Sequence, residues 1–166
     1  MSVVLENDYL KVMINEKGAE LRHVENRKTK LEYMWSGDPA FWAKTSPILF
    51  PIVGTLKNDS YLYNGKLYSL TRHGFARDMI FQVADHKDDE ASFFILSNKK
   101  LHEKYPFDFR LEVMYKITKD QLAVTYNVEN TGEGPMYFSI GAHPAFKVPL
   151  TTNSTYEDYY LHFEVE

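Results

Sequence analysis

The sequence predicts a mainly β protein, an antiparallel β-sandwich, on three observations. Apolar residues alternate with polar ones at period two, glycine- and asparagine-rich turns punctuate that alternation, and only one short segment reads as helical. Strands are expected at residues 9–14, closed by Asn15-Glu16-Lys17-Gly18, and at 32–35, closed by Ser36-Gly37-Asp38-Pro39. Asn64-Gly65 sits between β-formers over residues 61–68, which predicts a hairpin with a type I′ turn because both turn residues need positive φ. Further strands are expected at 80–85 and 91–97, followed by the helical segment at 98–105. Phe109, Leu111, Val113, Tyr115 and Ile117 then share one face, Lys119-Asp120 turns the chain, and Leu122, Val124, Tyr126 and Val128 repeat the pattern. A glycine-rich turn at 131–135 precedes an expected strand at 136–142, and residues 161–166 alternate as if inside a last strand.

The 166 residues are enough for one domain with a substantial core, and the span 1–166 shows no repeat, low-complexity run or linker. Hydrophobic residues at 44% argue against disorder. A net charge of -4 and the lack of a lysine- or arginine-rich stretch give no reason to expect nucleic acid or an anionic membrane as partner. With no cysteine, a disulfide framework and a thiolate metal site are both excluded, which fits a cytoplasmic protein. Asp158 and His162 have helical i, i+4 spacing, but their neighbours alternate like a strand, so no metal site is assigned.

Two histidine motifs carry the chemistry. His73 stands in Thr71-Arg72-His73-Gly74-Phe75-Ala76-Arg77, where Arg72 and Arg77 disfavour the imidazolium and Gly74 permits positive φ or close backbone approach. A neutral imidazole both donates to and accepts from a sugar hydroxyl. His143 stands in Gly141-Ala142-His143-Pro144-Ala145-Phe146, where Pro144 biases it toward extended geometry and stops the strand. Each has a bland alternative: a surface loop histidine for His73, and a ring packed on core aromatics for His143.

Together the segments resemble the galactose mutarotase-like superfamily of aldose 1-epimerases, in particular its LacX-type branch. Phe50-Pro51-Ile52-Val53-Gly54, the hairpin at 61–68 and His73-Gly74-Phe75-Ala76-Arg77 are similar to one block of that family. The segment 141–146 is similar to its second block, and Asn127-Val128-Glu129-Asn130-Thr131-Gly132 to the strand and turn before it. The resemblance runs over residues 5–166. It implies the supersandwich fold and a catalyst that interconverts α and β anomers of a small-molecule aldohexose, with neither metal nor organic cofactor. By motif position His143 matches the acid that protonates the ring oxygen, and His73 the second catalytic histidine, which also holds the sugar. Arg77, in the same block, is a candidate contact to a substrate hydroxyl or phosphate. Trp42, Phe75 and Phe146 are candidates to stack on a sugar face, with core packing the default for each.

Two departures from the family pattern stand out. Where family members commonly carry an arginine after the glycine of the first block, this chain has Thr55, with Lys57 the nearest cation and a candidate substrate contact. The family's catalytic glutamate lies in its C-terminal half, and neither Glu157, Asp158, Glu164 nor Glu166 matches its motif. The chain is therefore expected to be the N-terminal part of a longer sandwich. Two alternatives remain: a non-catalytic sugar-binding sandwich, and a mutarotase of a hexose 6-phosphate in which Lys57, Arg72 or Arg77 meets the phosphate.

Overall fold

The computed structural model describes residues 1–164 and consists mainly of antiparallel strands. β1 (Ser2–Glu6), β2 (Leu10–Asn15) and β3 (Glu20–Asn26) form a three-stranded meander. Its first turn is closed by Asn7, whose side-chain oxygen accepts from the amides of Tyr9 and Leu10. β4 (Ile48–Leu49) is a two-residue strand, followed by the hairpin of β5 (Ser60–Tyr63) and β6 (Lys66–Ser69). The turn of that hairpin is Asn64-Gly65 with φ of 47° and 76°, as type I′ geometry requires. β7 (Gln82–His86), β8 (Glu90–Leu96), β9 (Phe109–Thr118) and β10 (Gln121–Asn130) build a four-stranded sheet in the order β10-β9-β8-β7. A single helical turn, α1 (Lys99–His102), links β8 to β9, capped by the Asn98 side chain accepting from Leu101. β11 (Gly141–Ala142) returns to pair with β4.

The two larger sheets face each other across one core. Leu5, Val12 and Ile14 come from the meander; Phe93, Leu111, Val113, Tyr115 and Ile117 come from the four-stranded sheet, and all are fully buried. Tyr115 also donates its hydroxyl to the Ala19 carbonyl at 2.6 Å, satisfying its one polar atom inside the core. β10 repeats the alternation of β9 but is only half-buried on its inward side. Phe50 lies at the centre of an aromatic cluster, in contact with Phe75, Tyr105, Phe109 and Phe138.

The expected strands at 9–14, 80–85 and 91–97 lie within two residues of β2, β7 and β8, and the long hairpin is β9–β10. Four expectations need correction. Residues 32–35 make only isolated bridges, because the Glu32 carboxylate takes the amides of Val24 and Met34 (3.0 and 2.8 Å), so a side chain substitutes for the ladder. The expected strand at 136–142 shrinks to Gly141–Ala142: upstream, the partner segment reaches Pro51, which offers only a carbonyl, taken by the Ser139 amide at 2.8 Å. Residues 161–164 form no strand; among the described residues no backbone hydrogen bond pairs them, and Val165 and Glu166 of that expected strand lie outside the described residues. The helix expected over 98–105 is reduced to four residues.

Candidate functional site

Short as it is, β4 positions both histidine segments, because it is used on both edges. On one edge Gly141 and Ala142 pair with Leu49 and Ile48, and the His143 amide continues the contact by donating to the Pro47 carbonyl at 3.2 Å. On the other edge Phe50, the next residue, accepts from the amides of Phe75 (3.0 Å) and Ala76 (3.2 Å) and bridges to Gly74 in parallel. Gly74 has φ of 69°, and a Cβ there would collide with the Phe50 carbonyl. Glycine is needed here for close approach of backbone to backbone.

His73 is itself in the left-handed region, with φ of 68°. Its conformation is held by a reciprocal pair with Gly54: the His73 amide donates to the Gly54 carbonyl (2.8 Å), and the Gly54 amide donates to Nδ1 of the His73 ring (3.0 Å). The other ring nitrogen, Nε2, accepts from Nε of Arg72 at 3.2 Å, so both nitrogens face N–H donors. A neutral imidazole has one acceptor nitrogen, so each tautomer keeps one of these two bonds and turns its own N–H to the other position. The imidazole is held below its ordinary pKa by desolvation, then by the charges of Arg72 and Arg77 and by His143, so the neutral form is the resting state near pH 7.

His143 stands solvent-exposed across the same cavity, its ring edge-on to Trp42 with centroids 4.9 Å apart. Trp42 is fixed in turn: its amide donates to the Asp38 carbonyl, and its own carbonyl accepts from the Trp35 indole at 2.9 Å. The cavity measures about 220 Å³, with His73, His143, Arg72, Arg77 and Trp42 on a floor of Pro47 and Leu49. Arg77 is oriented by donating Nη2 to the Arg72 carbonyl at 2.8 Å, with Asp78 beside its Nε at 3.6 Å.

The structure thus brings together His73, His143 and Arg77, and adds Arg72. Lys57 is not in this group. It sits exposed on a 3-10 turn over Lys57–Asp59, and Thr55 is exposed as well. Of the three aromatics, only Trp42 lines the cavity. Phe75 packs into the core against Phe50 and Phe109, and Phe146 lies over a separate apolar groove next to Met34. Pro47 and Leu49 carried no signal in the sequence, because their contribution is backbone pairing and a wall. No group of three histidine, aspartate or glutamate side chains able to hold a metal occurs among the described residues.

This antiparallel β-sandwich is the fold of the galactose mutarotase-like class. Structures similar to this chain include a galactose mutarotase related enzyme from Lactobacillus acidophilus, 39% identical with a TM-score of 0.92, matching 95% of this chain and 53% of that one. A galactose mutarotase-like protein from Lactobacillus casei is also 39% identical, with a TM-score of 0.87, matching 92% of this chain and 52% of that one. Among curated relatives, the LacX proteins of Lactococcus lactis, plasmid and chromosomal, are each 36% identical over 173 residues, covering all of this chain and 58% of their own length. The chain therefore spans little more than half the length of the relatives it matches. The aldose 1-epimerase family model matches residues 1–165, and the chain belongs to that family.

Proposed function

We propose that this chain provides the two-histidine half of an aldose 1-epimerase site that interconverts the anomers of an aldohexose. The observation that carries the reading is that His73 and His143, seventy positions apart, line one cavity together with Arg72 and Arg77. The volume is below the roughly 300–1,000 Å³ of sites for drug-sized ligands, and suits one monosaccharide better than an oligosaccharide.

In this reading His143 gives a proton to the ring oxygen of the pyranose as a base takes the proton of the C1 hydroxyl. The bond from C1 to the ring oxygen breaks, an aldehyde forms at C1, rotation about C1–C2 exposes its other face, and the same steps reversed close the ring. His73 and Arg77 hold sugar hydroxyls on the facing wall of the cavity. A well-placed acid or base contributes about 10²–10⁴ in rate. No carboxylate lines the cavity among the described residues, and no position of this chain matches the family's catalytic glutamate, so the base is assigned to no residue here. The setting proposed for the reaction is the cytoplasm.

A second reading has a specific observation in its favour. The cavity holds two guanidinium groups and no acid, and Arg72 makes no ion pair among the described residues. That balance suits a hexose 6-phosphate, with Arg72 and Arg77 rather than Lys57 at the phosphate. Polarimetry on freshly dissolved α-galactose, α-glucose and glucose 6-phosphate tests both. Accelerated mutarotation of a free hexose supports the first reading, and acceleration of the phosphate alone supports the second. Saturable binding with no acceleration of any sugar would mean a binding module instead.

A further inference from the structure

Outside the residues that line the cavity, the core holds a carboxylate with no assigned role. Glu20, the first residue of β3, is 4% exposed. A buried charge persists only where partners compensate it, and Glu20 has two sets. Its Oε1 accepts from the amides of Thr45 (2.6 Å) and Ser46 (3.2 Å). Its Oε2 faces Nζ of Lys44 at 3.8 Å, with Arg22 on the other oxygen, also at 3.8 Å.

What these partners do next links the carboxylate to the site. The segment 45–47 leads into β4 and offers two carbonyls to the His143 segment: Thr45 takes the amide of Ala145 at 2.8 Å, and Pro47 takes that of His143. Lys44 turns the other way. Its ammonium donates to the Arg77 carbonyl at 3.1 Å and to Asp78 at 3.4 Å, pinning the 3-10 turn Ala76–Asp78 that follows His73. The two oxygens of one carboxylate thus lead to the two halves of the cavity by separate paths.

We infer that Glu20 is a positioning residue that sets the distance between the imidazoles, through the 45–47 backbone to His143 and through Lys44 to the Arg77 turn and His73. The inference rests on the paired-imidazole site proposed above, but its test does not require turnover. Charge-assisted hydrogen bonds to backbone amides are stronger than neutral ones, and they hold the strap without taking up space in the cavity. Neither Glu20 nor Lys44 touches the sugar in this account.

The two paths predict a graded pattern in the imidazole NMR signals of the full chain. Glu20→Ala removes both, so the resonances of His73 and His143 both shift. Glu20→Gln keeps a carbonyl for Thr45 and Ser46 but turns an amide toward Lys44, so His143 returns to its wild-type position while His73 stays displaced. Lys44→Met reproduces the Glu20→Gln pattern. Tyr115→Phe is the control: it deletes a buried hydrogen bond to Ala19, next to Glu20, and lowers Tm with both imidazoles unmoved. Galactose binding also weakens in Glu20→Ala, because the two imidazoles are no longer held at the spacing the sugar fits. Should Glu20→Ala not fold, Glu20→Gln and Lys44→Met decide the matter. The inference is overturned if both leave His73 where it was, or if Glu20→Gln shifts His143 as far as His73. If the wild type binds no sugar but the graded pattern holds, the positioning stands and the mutarotase reading falls.

Discussion

Gly54 and His73 hold each other by a two-way exchange, the glycine amide on the imidazole Nδ1 at 3.0 Å and the histidine amide on the glycine carbonyl at 2.8 Å. This pair ties the ring to the backbone of the facing loop. It also explains how a non-glycine residue is kept at positive φ, a conformation that persists only when its surroundings over-determine it.

The first prediction concerns protonation. The folded pKa of His73 is depressed, chiefly by desolvation and then by Arg72 and Arg77, so the unfolded chain binds that proton more readily than the native one. The stabilising contribution is present above the ordinary value near 6.5 and is lost as pH falls toward the folded pKa. NMR titration should give a midpoint for His73 below 6.5, and Arg72→Ala should raise it. A wild-type midpoint at or above the ordinary value contradicts the assignment.

Gly74→Ala should be costly although the change adds one methyl. The residue sits at φ of 69°, and its new Cβ would meet the Phe50 carbonyl that anchors Phe75 and Ala76. We expect a loss of at least about 1–3 kcal/mol in denaturant unfolding, the usual cost of a non-glycine residue in such a conformation. An unchanged midpoint would show that the loop is held in some other way.

Phe50→Ala should destabilise by about 3–5 kcal/mol, the range for deleting a large buried ring. Phe50 is fully buried among aromatic neighbours, and its backbone supports the His73 loop. A loss under about 1 kcal/mol, as expected of a surface substitution, would contradict this packing.

Trp42→Ala should leave the fold intact and weaken sugar binding. The indole lines the cavity and meets the His143 ring edge-to-face, so its removal takes away both a wall of the site and the contact that orients His143. Trp42→Phe should retain most of the binding. Titration with galactose would measure both, and equal affinity in Trp42→Ala and wild type would place the sugar elsewhere.

How far the sequence predicts the structure depends on whether the forces involved are local. Period-two alternation is clear in β9 and β10, and Asn64-Gly65 specifies its own turn. β3 was not foreseen, because the pairing with β2 shifts register after Met13: the bulge puts Leu21 and Val24, three apart, on the same inward face. β4 is too short to show any period, and its importance comes from being paired on both edges. At the site, the types and flanks of His73, His143 and Arg77 were legible, as was the electrostatic effect of Arg72. The burial of Glu20 and the reach of Lys44 were not, since each depends on contacts that join segments far apart in the chain.

The account is tested most directly by titrating the protein with galactose while following the imidazole signals of His73 and His143 together. Both should move along one binding curve with a common midpoint, and His23, on the outer edge of β3, should stay still. Saturation that perturbs one imidazole alone, or neither, would contradict the claim that the two rings grip a single sugar.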